Sequence, residues 1–325
     1  MSTPRPETEP TGEFSLIRWI RDRTAVGGST VLGIGDDGAI VRPSPGSDLV
    51  VTTDMLMDGR HFVLEEAGPE AVGVKALGVN LSDIAAMAAR PIAAVVAIAL
   101  PSRHPRPIEI ARGLHRGLTS MADRFGVALV GGDTNAWEGP LVVCVTVFGE
   151  TAGRGAVRRS GARPGDVIFV TGPLGGSLLG RHLAPEPRVI EALALNEAVA
   201  LHALIDLSDG LSSDLAHILD ESGGLGAVLD ASAIPIHADA VTMSGRSGRT
   251  PLDHALGDGE DFELCLTVSA DAAARLLALP CPPARLYRIG VVVEGPGLWL
   301  RQNDGSRSTI HPAGFDHLRR PSDAD

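Results

Sequence analysis

Two aspartates interrupt an otherwise apolar stretch at residues 204–211. Asp206 and Asp209 stand three positions apart in this stretch, and Ser208 lies between them. An ionised carboxylate in apolar surroundings is costly unless a cation or strong hydrogen-bond donors meet it. The spacing therefore indicates a place where a cation or hydrogen-bond donors compensate two negative charges.

Further acids follow short, strand-like apolar runs, so we expect each of them at the end of a strand. These acids are Asp36, Asp37, Asp54 and Asp133. Asp83 falls within the apolar stripe of a predicted helix over residues 69–90. Taken singly, each acid could cap a helix, brace a turn or pair with an arginine. Taken together, so many carboxylates require divalent cations, and nearby hydroxyls from Thr52, Thr53 and Ser208 suit Mg²⁺ that binds nucleotide phosphates.

Hydrophobic periodicity and turn residues predict helices and strands in both halves of the chain. In the first half the predicted helices cover residues 13–23, 69–90 and 107–124, and the predicted strands cover 31–34, 39–41, 48–53, 93–100, 127–133 and 141–149. In the second half the helices cover 187–202, 212–221 and 270–279, and the strands 166–171, 204–207, 227–230, 264–268 and 288–293. Pro91 is expected to end the second helix and Gly126 the third. The mixture predicts the α+β fold class.

A segment rich in Gly, Arg and Ser over residues 153–165 is typical of a connection between domains. A chain of 325 residues is long enough for two separate cores. The predicted division is a disordered lead-in over 1–11, an N-terminal metal- and nucleotide-binding domain over 12–152, a C-terminal domain over 153–318 and a tail over 319–325.

Composition excludes several classes of function. The formal net charge of −12 argues against a surface that follows nucleic-acid phosphates. No apolar run reaches the ~18–20 residues that cross a bilayer. Lys75 is the only lysine and does not stand in a phosphate-loop motif. The widely spaced Cys144, Cys265 and Cys281 indicate reduced thiols in a cytoplasmic protein.

Some residues keep two interpretations. The glycine-rich stretch at residues 172–176 is either a phosphate loop or a strand-to-helix turn. Arg158 and Arg159 either reach phosphate oxygens or form a solvated pair in the connection between domains. Isolated histidines such as His61 lack the spacing of a zinc site.

Seven ordered motifs resemble those of thiamine-monophosphate kinase. They are Gly12-Glu13-Phe14, Gly33-Ile34-Gly35-Asp36-Asp37, Thr52-Thr53-Asp54, residues 80–87, Gly131-Gly132-Asp133-Thr134, residues 206–211 and residues 259–264. The resemblance implies the two-domain fold of aminoimidazole ribonucleotide synthetase: an N-terminal mixed α/β domain whose sheet forms a homodimer, and a C-terminal α+β domain. It also implies Mg²⁺-dependent phosphorylation of thiamine monophosphate by ATP, which yields thiamine diphosphate.

The same resemblance implies roles for individual residues. The implied Mg²⁺ ligands are Asp37, Thr52, Thr53, Asp54, Asp83, Asp133, Asp206 and Asp209. The implied ATP contacts are Gly132, Asp133, Arg159 and Ser208, and the implied contacts to thiamine monophosphate are His61, Glu260 and Phe315. No base-activated nucleophile is apparent, so we expect metal-assisted, direct transfer of the γ-phosphoryl group.

The chain departs from the family pattern in a short segment between residues 172 and 187, and His115 is the candidate counterpart of a family tyrosine near ATP. Two other functions stay open at this stage: another ATP-dependent enzyme of the same superfamily, or a non-catalytic protein that binds metal or nucleotide. The reactive cysteine of a selenophosphate synthetase and the C-terminal cysteine of a hydrogenase-maturation protein are missing from the sequence.

Overall fold

The computed structural model describes residues 13–24, 27–279 and 285–312. Five sequence predictions concern residues outside this part of the chain: the lead-in over 1–11, Gly12 of the first family motif, the tail over 319–325, Cys281 and Phe315. Among the described residues, no helix carries an apolar stretch long enough to cross a membrane.

The described chain divides into two compact units. The first holds the described residues up to Gly46 together with Val51–Asn80 and Pro91–Phe148. The second holds Ser47–Val50, Leu81–Arg90 and the described residues from Gly149 onward. Both units contain helices and strands, which confirms the predicted α+β class. The domain boundary at residue 153 stays a prediction.

The elements up to residue 151 centre on one four-stranded sheet in the described part of the chain. In order they are α1 Glu13–Arg21, β1 Thr30–Leu32, β2 Ile40–Val41, β3 Leu49–Met57, α2 Leu64–Ala86, β4 Ala89–Pro101, α3 Pro107–Phe125, β5 Ala128–Trp137 and β6 Val142–Thr151. The sheet has the strand order β3-β6-β4-β5, and β4 runs parallel to β5. Strands β1 and β2 form a separate antiparallel pair.

Helix α3 illustrates how local sequence sets these elements. Pro107 begins the helix, where its missing N–H would have had no partner, and Gly126 follows the last turn in the left-handed conformation with a φ of 68°. Ile110, Leu114 and Met121 are buried at helical spacing. The predicted helix over residues 107–124 is confirmed.

The elements after residue 151 surround a larger sheet. They are β7 Val167–Val170, α4 Val189–Ala198, β8 Ala203–Asp206, α5 Leu211–Glu221, β9 Gly226–Asp230, α6 Ala238–Ser247, α7 Pro251–Gly257, β10 Leu264–Val268, α8 Ala270–Leu277, β11 Tyr287–Val293, β12 Gly297–Arg301 and β13 Arg307–Thr309. The strand order is β13-β12-β9-β11-β7-β10-β8. A core of buried aliphatic side chains, including Ile168, Ile205 and Leu215, joins the sheet to α5.

The predicted end of the second helix was wrong. Helix α2 ends at Ala86, Ala88 adopts a left-handed φ of 48°, and Pro91 lies inside strand β4. The residue before a proline is disfavoured in the helical conformation, so Arg90 belongs to the extended chain and not to the helix. At its other end α2 begins at Leu64 and is interrupted by non-helical backbone at Gly68.

The expectation that the acids end strands was also wrong for two of them. Asp54 lies within β3 and Asp133 within β5, because both strands continue past the acid. Asp54 is partly exposed and Asp133 is exposed, so a carboxylate at either strand position keeps contact with water. Asp206, by contrast, is the last residue of β8.

Helices α6 and α7 and strands β12 and β13 were not predicted. The sequence does carry a signal for α7, because Thr250 and Asp253 form a capping box around Pro251 at the first turn. The Thr250 hydroxyl accepts the Asp253 N–H at 3.1 Å, and the Asp253 carboxylate accepts the Thr250 N–H at 2.9 Å.

Candidate functional site

A cavity of about 760 Å³ in the first unit brings several of the predicted site residues together. Asp36 and Asp37 reach it from the turn between β1 and β2, and Gly132 and Asp133 reach it from β5. Its other walls are mainly apolar side chains of α1, α3 and β4. A volume of this size is typical of a small-molecule site.

Gly132 is required at its place beside this cavity. Its φ is +156°, and a Cβ at this position would overlap the backbone oxygen of Val96 on the parallel strand β4. The pairing of β4 with β5 shifts register just before it, between Ala94 and Val95. The Gly131-Gly132 pair thus lets two backbones approach closely next to Asp133.

His115 also lines the cavity, from the buried face of α3. Its Nε2 atom lies 3.2 Å from the Thr24 hydroxyl, and its ring meets Trp19 edge-on at 5.2 Å between centroids. Burial lowers the pKa of His115, and the positive charges of Arg23 and Arg116 lower it further. The imidazole is therefore neutral near pH 7.

The Thr52-Thr53-Asp54 motif presents its side chains on two faces of β3. Successive residues of a strand point to opposite sides, so Thr52 and Asp54 share a face and Thr53 occupies the other. The Thr53 hydroxyl lies 2.9 Å from the Thr146 hydroxyl and donates to the Val145 oxygen at 3.1 Å, both on β6. Of the two threonine hydroxyls, only that of Thr52 shares a face with Asp54.

His61 sits in the turn that follows β3. Its Nδ1 atom accepts the Met57 N–H at 3.0 Å, and its backbone oxygen accepts a hydrogen bond from Lys75 Nζ at 2.7 Å. Lys75 is fully buried in α2. The only lysine of the chain thus supports the turn that carries His61.

In the second unit, Asp206 meets a serine from the end of α2. Ser82 Oγ donates to Asp206 Oδ2 at 2.7 Å, and both residues are buried. Asp83, the next residue, is partly exposed. The two acidic motifs around Asp83 and Asp206 are therefore linked within this unit.

A third acid lies beside Asp206 and Asp209. Asp214, in the first turn of α5, is buried and accepts the backbone N–H groups of Asp209 and Gly210, each at 3.0 Å. Burial raises the pKa of Asp214 to about 8, and the negative charges of Asp206 and Asp209 contribute to this rise. Such crowding of carboxylates is what a divalent cation relieves.

The segment that carries Glu260 docks against the same turn. The Glu260 N–H donates to the Ser208 oxygen at 2.7 Å, and the N–H groups of Asp261 and Phe262 donate to the Leu207 oxygen at 3.1 and 2.9 Å. Glu260 and Phe262 both have a positive φ, 51° and 52°, which is uncommon outside glycine. Two residues implied to contact different substrates, Ser208 and Glu260, are thus hydrogen-bonded neighbours.

The glycine-rich stretch at residues 172–176 is occupied by protein carboxylates. The Gly175 N–H donates to Asp261 at 2.9 and 3.0 Å, and the Gly176 N–H donates to Asp258 at 3.0 Å. Arg181 donates to Asp261 at 3.0 Å as well. These bonds favour the turn interpretation over a phosphate loop.

Comparison with known proteins places the chain in a family. It matches the family model described as AIR synthase related protein, N-terminal domain, over residues 35–151, and the corresponding C-terminal domain over residues 163–301. A thiamine-monophosphate kinase of Rhodopirellula baltica is 41% identical over 312 residues, which cover 94% of this chain and 97% of the relative. The chain belongs to the thiamine-monophosphate kinase family.

Solved structures of this kinase family agree with the fold. The thiamine-monophosphate kinase of Stenotrophomonas maltophilia K279a aligns with a TM-score of 0.73 and 37% identity, and the alignment covers 91% of this chain and 98% of that one. A structure described as AaThiL complexed with AMPPCP and TMP aligns with a TM-score of 0.73 and 28% identity, over 98% of this chain and 100% of that one. The AIR synthase-like fold implied by the sequence motifs is therefore confirmed.

The kinase-family metal ligands stay predictions. The predicted ligands in both units are carboxylate and hydroxyl oxygens, which are the hard ligands that Mg²⁺ prefers. Their chemistry therefore fits this ion. In the part of the chain that the structure describes, no group of three or more Asp, Glu, His or Cys side chains is arranged to hold a metal ion. Arg159, an implied ATP contact, is exposed between β6 and β7.

The sequence did not predict two residues that contact Asp206 and Asp209 in the second unit. Ser82 contacts Asp206, and Asp214 holds the backbone of Asp209. Ser82 stands directly before Asp83 in its motif, and Asp214 follows the helix-starting Gly210 by four positions. The four-residue spacing from Gly210 to Asp214 is the sequence signal that this carboxylate can accept N–H groups at the start of its own helix.

Proposed function

We propose that this chain transfers the γ-phosphoryl group of ATP to thiamine monophosphate, which yields thiamine diphosphate and ADP. The observation that carries the proposal is its similarity, over nearly the whole length of both chains, to thiamine-monophosphate kinases. One related structure is described with both AMPPCP and TMP, an ATP analogue and the named second ligand. The cavity of the first unit, at which Asp36, Asp37 and Asp133 meet, supports a site where a cation binds phosphate.

The proposed Mg²⁺ ligands are the acids and hydroxyls named by the family motifs. They are Asp37, Thr52, Asp54, Asp83, Asp133, Asp206 and Asp209. The motifs also name Thr53, whose hydroxyl lies on the face of β3 opposite to Asp54 and contacts β6. When bound, Mg²⁺ would neutralise phosphate charge that these carboxylates would otherwise repel. Gly132, Arg159 and Ser208 would contact ATP, and His61, Glu260 and Phe315 would contact thiamine monophosphate.

The transfer is direct in this proposal. Cys265 is fully buried, and burial raises its pKa, so its thiol is a poor nucleophile. The phosphate of the acceptor already carries a charged oxygen and needs no protein base. Stereochemistry at a chiral γ-phosphorus should therefore invert, whereas net retention would contradict a single transfer.

The protein also acts as a cytoplasmic homodimer in this proposal. Strand β3 lies at one edge of its sheet, and Leu49, Val51 and Met55 project exposed apolar side chains from it. An exposed apolar edge of this kind favours association with a second copy. Free Cys144 and Cys265 agree with a reducing compartment.

The experiment is to incubate the purified chain with ATP, Mg²⁺ and thiamine monophosphate and to measure thiamine diphosphate. Asp54→Asn and Asp133→Asn should abolish turnover while the fold stays intact, because each removes a charge from the proposed metal site. Asp123→Asn, at an exposed acid of α3, is the matched control and should behave as the wild type. Near-normal turnover of either variant at low Mg²⁺ would refute that residue's role, and ATP consumption without thiamine diphosphate would indicate another enzyme of the superfamily.

A further inference from the structure

The turn at residues 207–210 is fixed by hydrogen bonds to its backbone from two directions. On one side, N–H groups of Glu260, Asp261 and Phe262 donate to the oxygens of Leu207 and Ser208. On the other, the buried carboxylate of Asp214 accepts N–H groups from the turn. The backbone is held firmly, while the side chains of Ser208 and Asp209 remain partly exposed.

Asp214 takes over a task that the N-cap residue of a helix usually performs. The first N–H groups of a helix have no partner within it, and a side chain at the N-cap normally satisfies one of them. The N-cap of α5 is Gly210, with φ 111° and no side chain to offer. Asp214 instead reaches back from within the first turn, and one of its Oδ2 bonds goes to the N–H of Asp209 itself.

Substitutions at position 214 can separate the effect of hydrogen bonding from the effect of charge. The Asp214 side chain is buried, and its two bonds to the turn require an oxygen that accepts N–H groups but not a negative charge. An asparagine would have nearly the same shape and an oxygen that can accept both N–H groups. A leucine would keep the branched arrangement of the side chain, with methyl groups in place of the oxygens, and accept neither.

We propose that Asp214 is a positioning residue: through the backbone N–H groups of Asp209 and Gly210 it fixes the turn that presents Ser208 and Asp209 to Mg²⁺–ATP, and it does not bind the metal or the nucleotide itself. This inference rests on the proposed function for the roles of Ser208 and Asp209. It assigns Asp214 an indirect part in nucleotide binding.

The test compares Asp214→Asn and Asp214→Leu with the control Asp220→Leu, which alters an exposed acid on the same helix. Amide hydrogen exchange of residues 206–215 and calorimetric binding of Mg²⁺–AMPPCP are measured on the full chain, well below each melting temperature. Asp214→Leu loses two hydrogen bonds, so exchange in the turn should accelerate and affinity for Mg²⁺–AMPPCP should fall about tenfold or more. Both Asp214→Asn and Asp220→Leu should stay within about twofold of the wild type in exchange and in affinity for Mg²⁺–AMPPCP.

Two results would overturn the inference. If Asp214→Asn binds Mg²⁺–AMPPCP as weakly as Asp214→Leu, the charge itself is needed and Asp214 is a ligand. If Asp214→Leu is less stable but binds the nucleotide normally, Asp214 has only a structural role. Should Asp214→Leu not fold, Asp214→Ser, whose hydroxyl is too short to reach both N–H groups, takes its place with the same expectations. Exchange and binding need no turnover, so they remain informative even if the wild type forms no thiamine diphosphate and the proposed function fails.

Discussion

Removal of the Ser82 hydroxyl tests the hydrogen bond to Asp206 in the second unit most directly. Ser82 Oγ donates to Asp206 Oδ2 at 2.7 Å, and both residues are buried, with exposed fractions of 0% and 2%. In Ser82→Ala the Asp206 carboxylate keeps its burial and loses this donor. A hydrogen bond to a charged group contributes about 1.5–3 kcal/mol to stability.

The higher helix propensity of alanine partly offsets this loss of stability. Ser82 lies in α2, and alanine is favoured over serine in a helix by about 0.5 kcal/mol. The net fall in the free energy of unfolding should then be about 1–2.5 kcal/mol. At about 2–4 °C per kcal/mol for a unit of this size, the melting temperature should fall by about 2–10 °C.

The assay is thermal and urea unfolding of Ser82→Ala beside Ser102→Ala, which changes an exposed serine. A double-mutant cycle with Asp206→Asn isolates the contact, because a neutral acceptor should reduce the net cost of Ser82→Ala to about 0–1 kcal/mol after the same helix offset. If Ser82→Ala changes stability no more than Ser102→Ala does, the hydrogen bond to Asp206 does not stabilise the protein and the reasoning is wrong.

Three further predictions concern the first unit. The pKa of His115 is lowered from 6.5 in the folded protein, so the unfolded chain binds the proton more readily. The free energy of unfolding should therefore fall as the pH drops below about 6.5. Urea titrations from pH 5 to 8 should show this slope in the wild type and a flatter one in His115→Gln; equal slopes would contradict the burial of a neutral imidazole. Gly132→Ala should lower the free energy of unfolding by about 1–3 kcal/mol, because its Cβ overlaps the Val96 oxygen, and unchanged urea midpoints would count against that close approach. Lys75→Met removes the donor to the His61 oxygen and should raise the KM for thiamine monophosphate more than the KM for ATP, whereas equal rises would separate His61 from the acceptor.

Local signals in the sequence predicted much of the fold. Pro107 and Gly126 mark the ends of α3, and the mainly apolar strand β10 was predicted at its observed bounds, Leu264–Val268. The strand that carries Asp133 was predicted too short, because an edge strand tolerates polar residues that resemble a turn in the sequence. Pro91 was misjudged for a related reason: the residue that cannot continue a helix is compatible with extended backbone, and it lies near the start of β4.

The contacts of the candidate site were harder to predict from the sequence than the fold, because they join residues that are distant along the chain. The bond between Ser82 and Asp206 spans 124 positions, and that between Gly175 and Asp261 spans 86. Motif spacing indicated the candidate acids but not the backbone groups that contact them. The role of Asp214 depends on the direction of its side chain, which helical spacing alone does not specify.

The most direct test of the proposed kinase activity is the stoichiometry of its two products. ADP and thiamine diphosphate are quantified in one reaction of the wild-type chain with Mg²⁺, ATP and thiamine monophosphate, beside a reaction without the acceptor. We expect the two products to form in equal amounts, and ADP to be nearly absent when thiamine monophosphate is omitted. ADP that forms at the same rate without the acceptor, or a complete reaction mixture that yields no thiamine diphosphate, would contradict the proposed function.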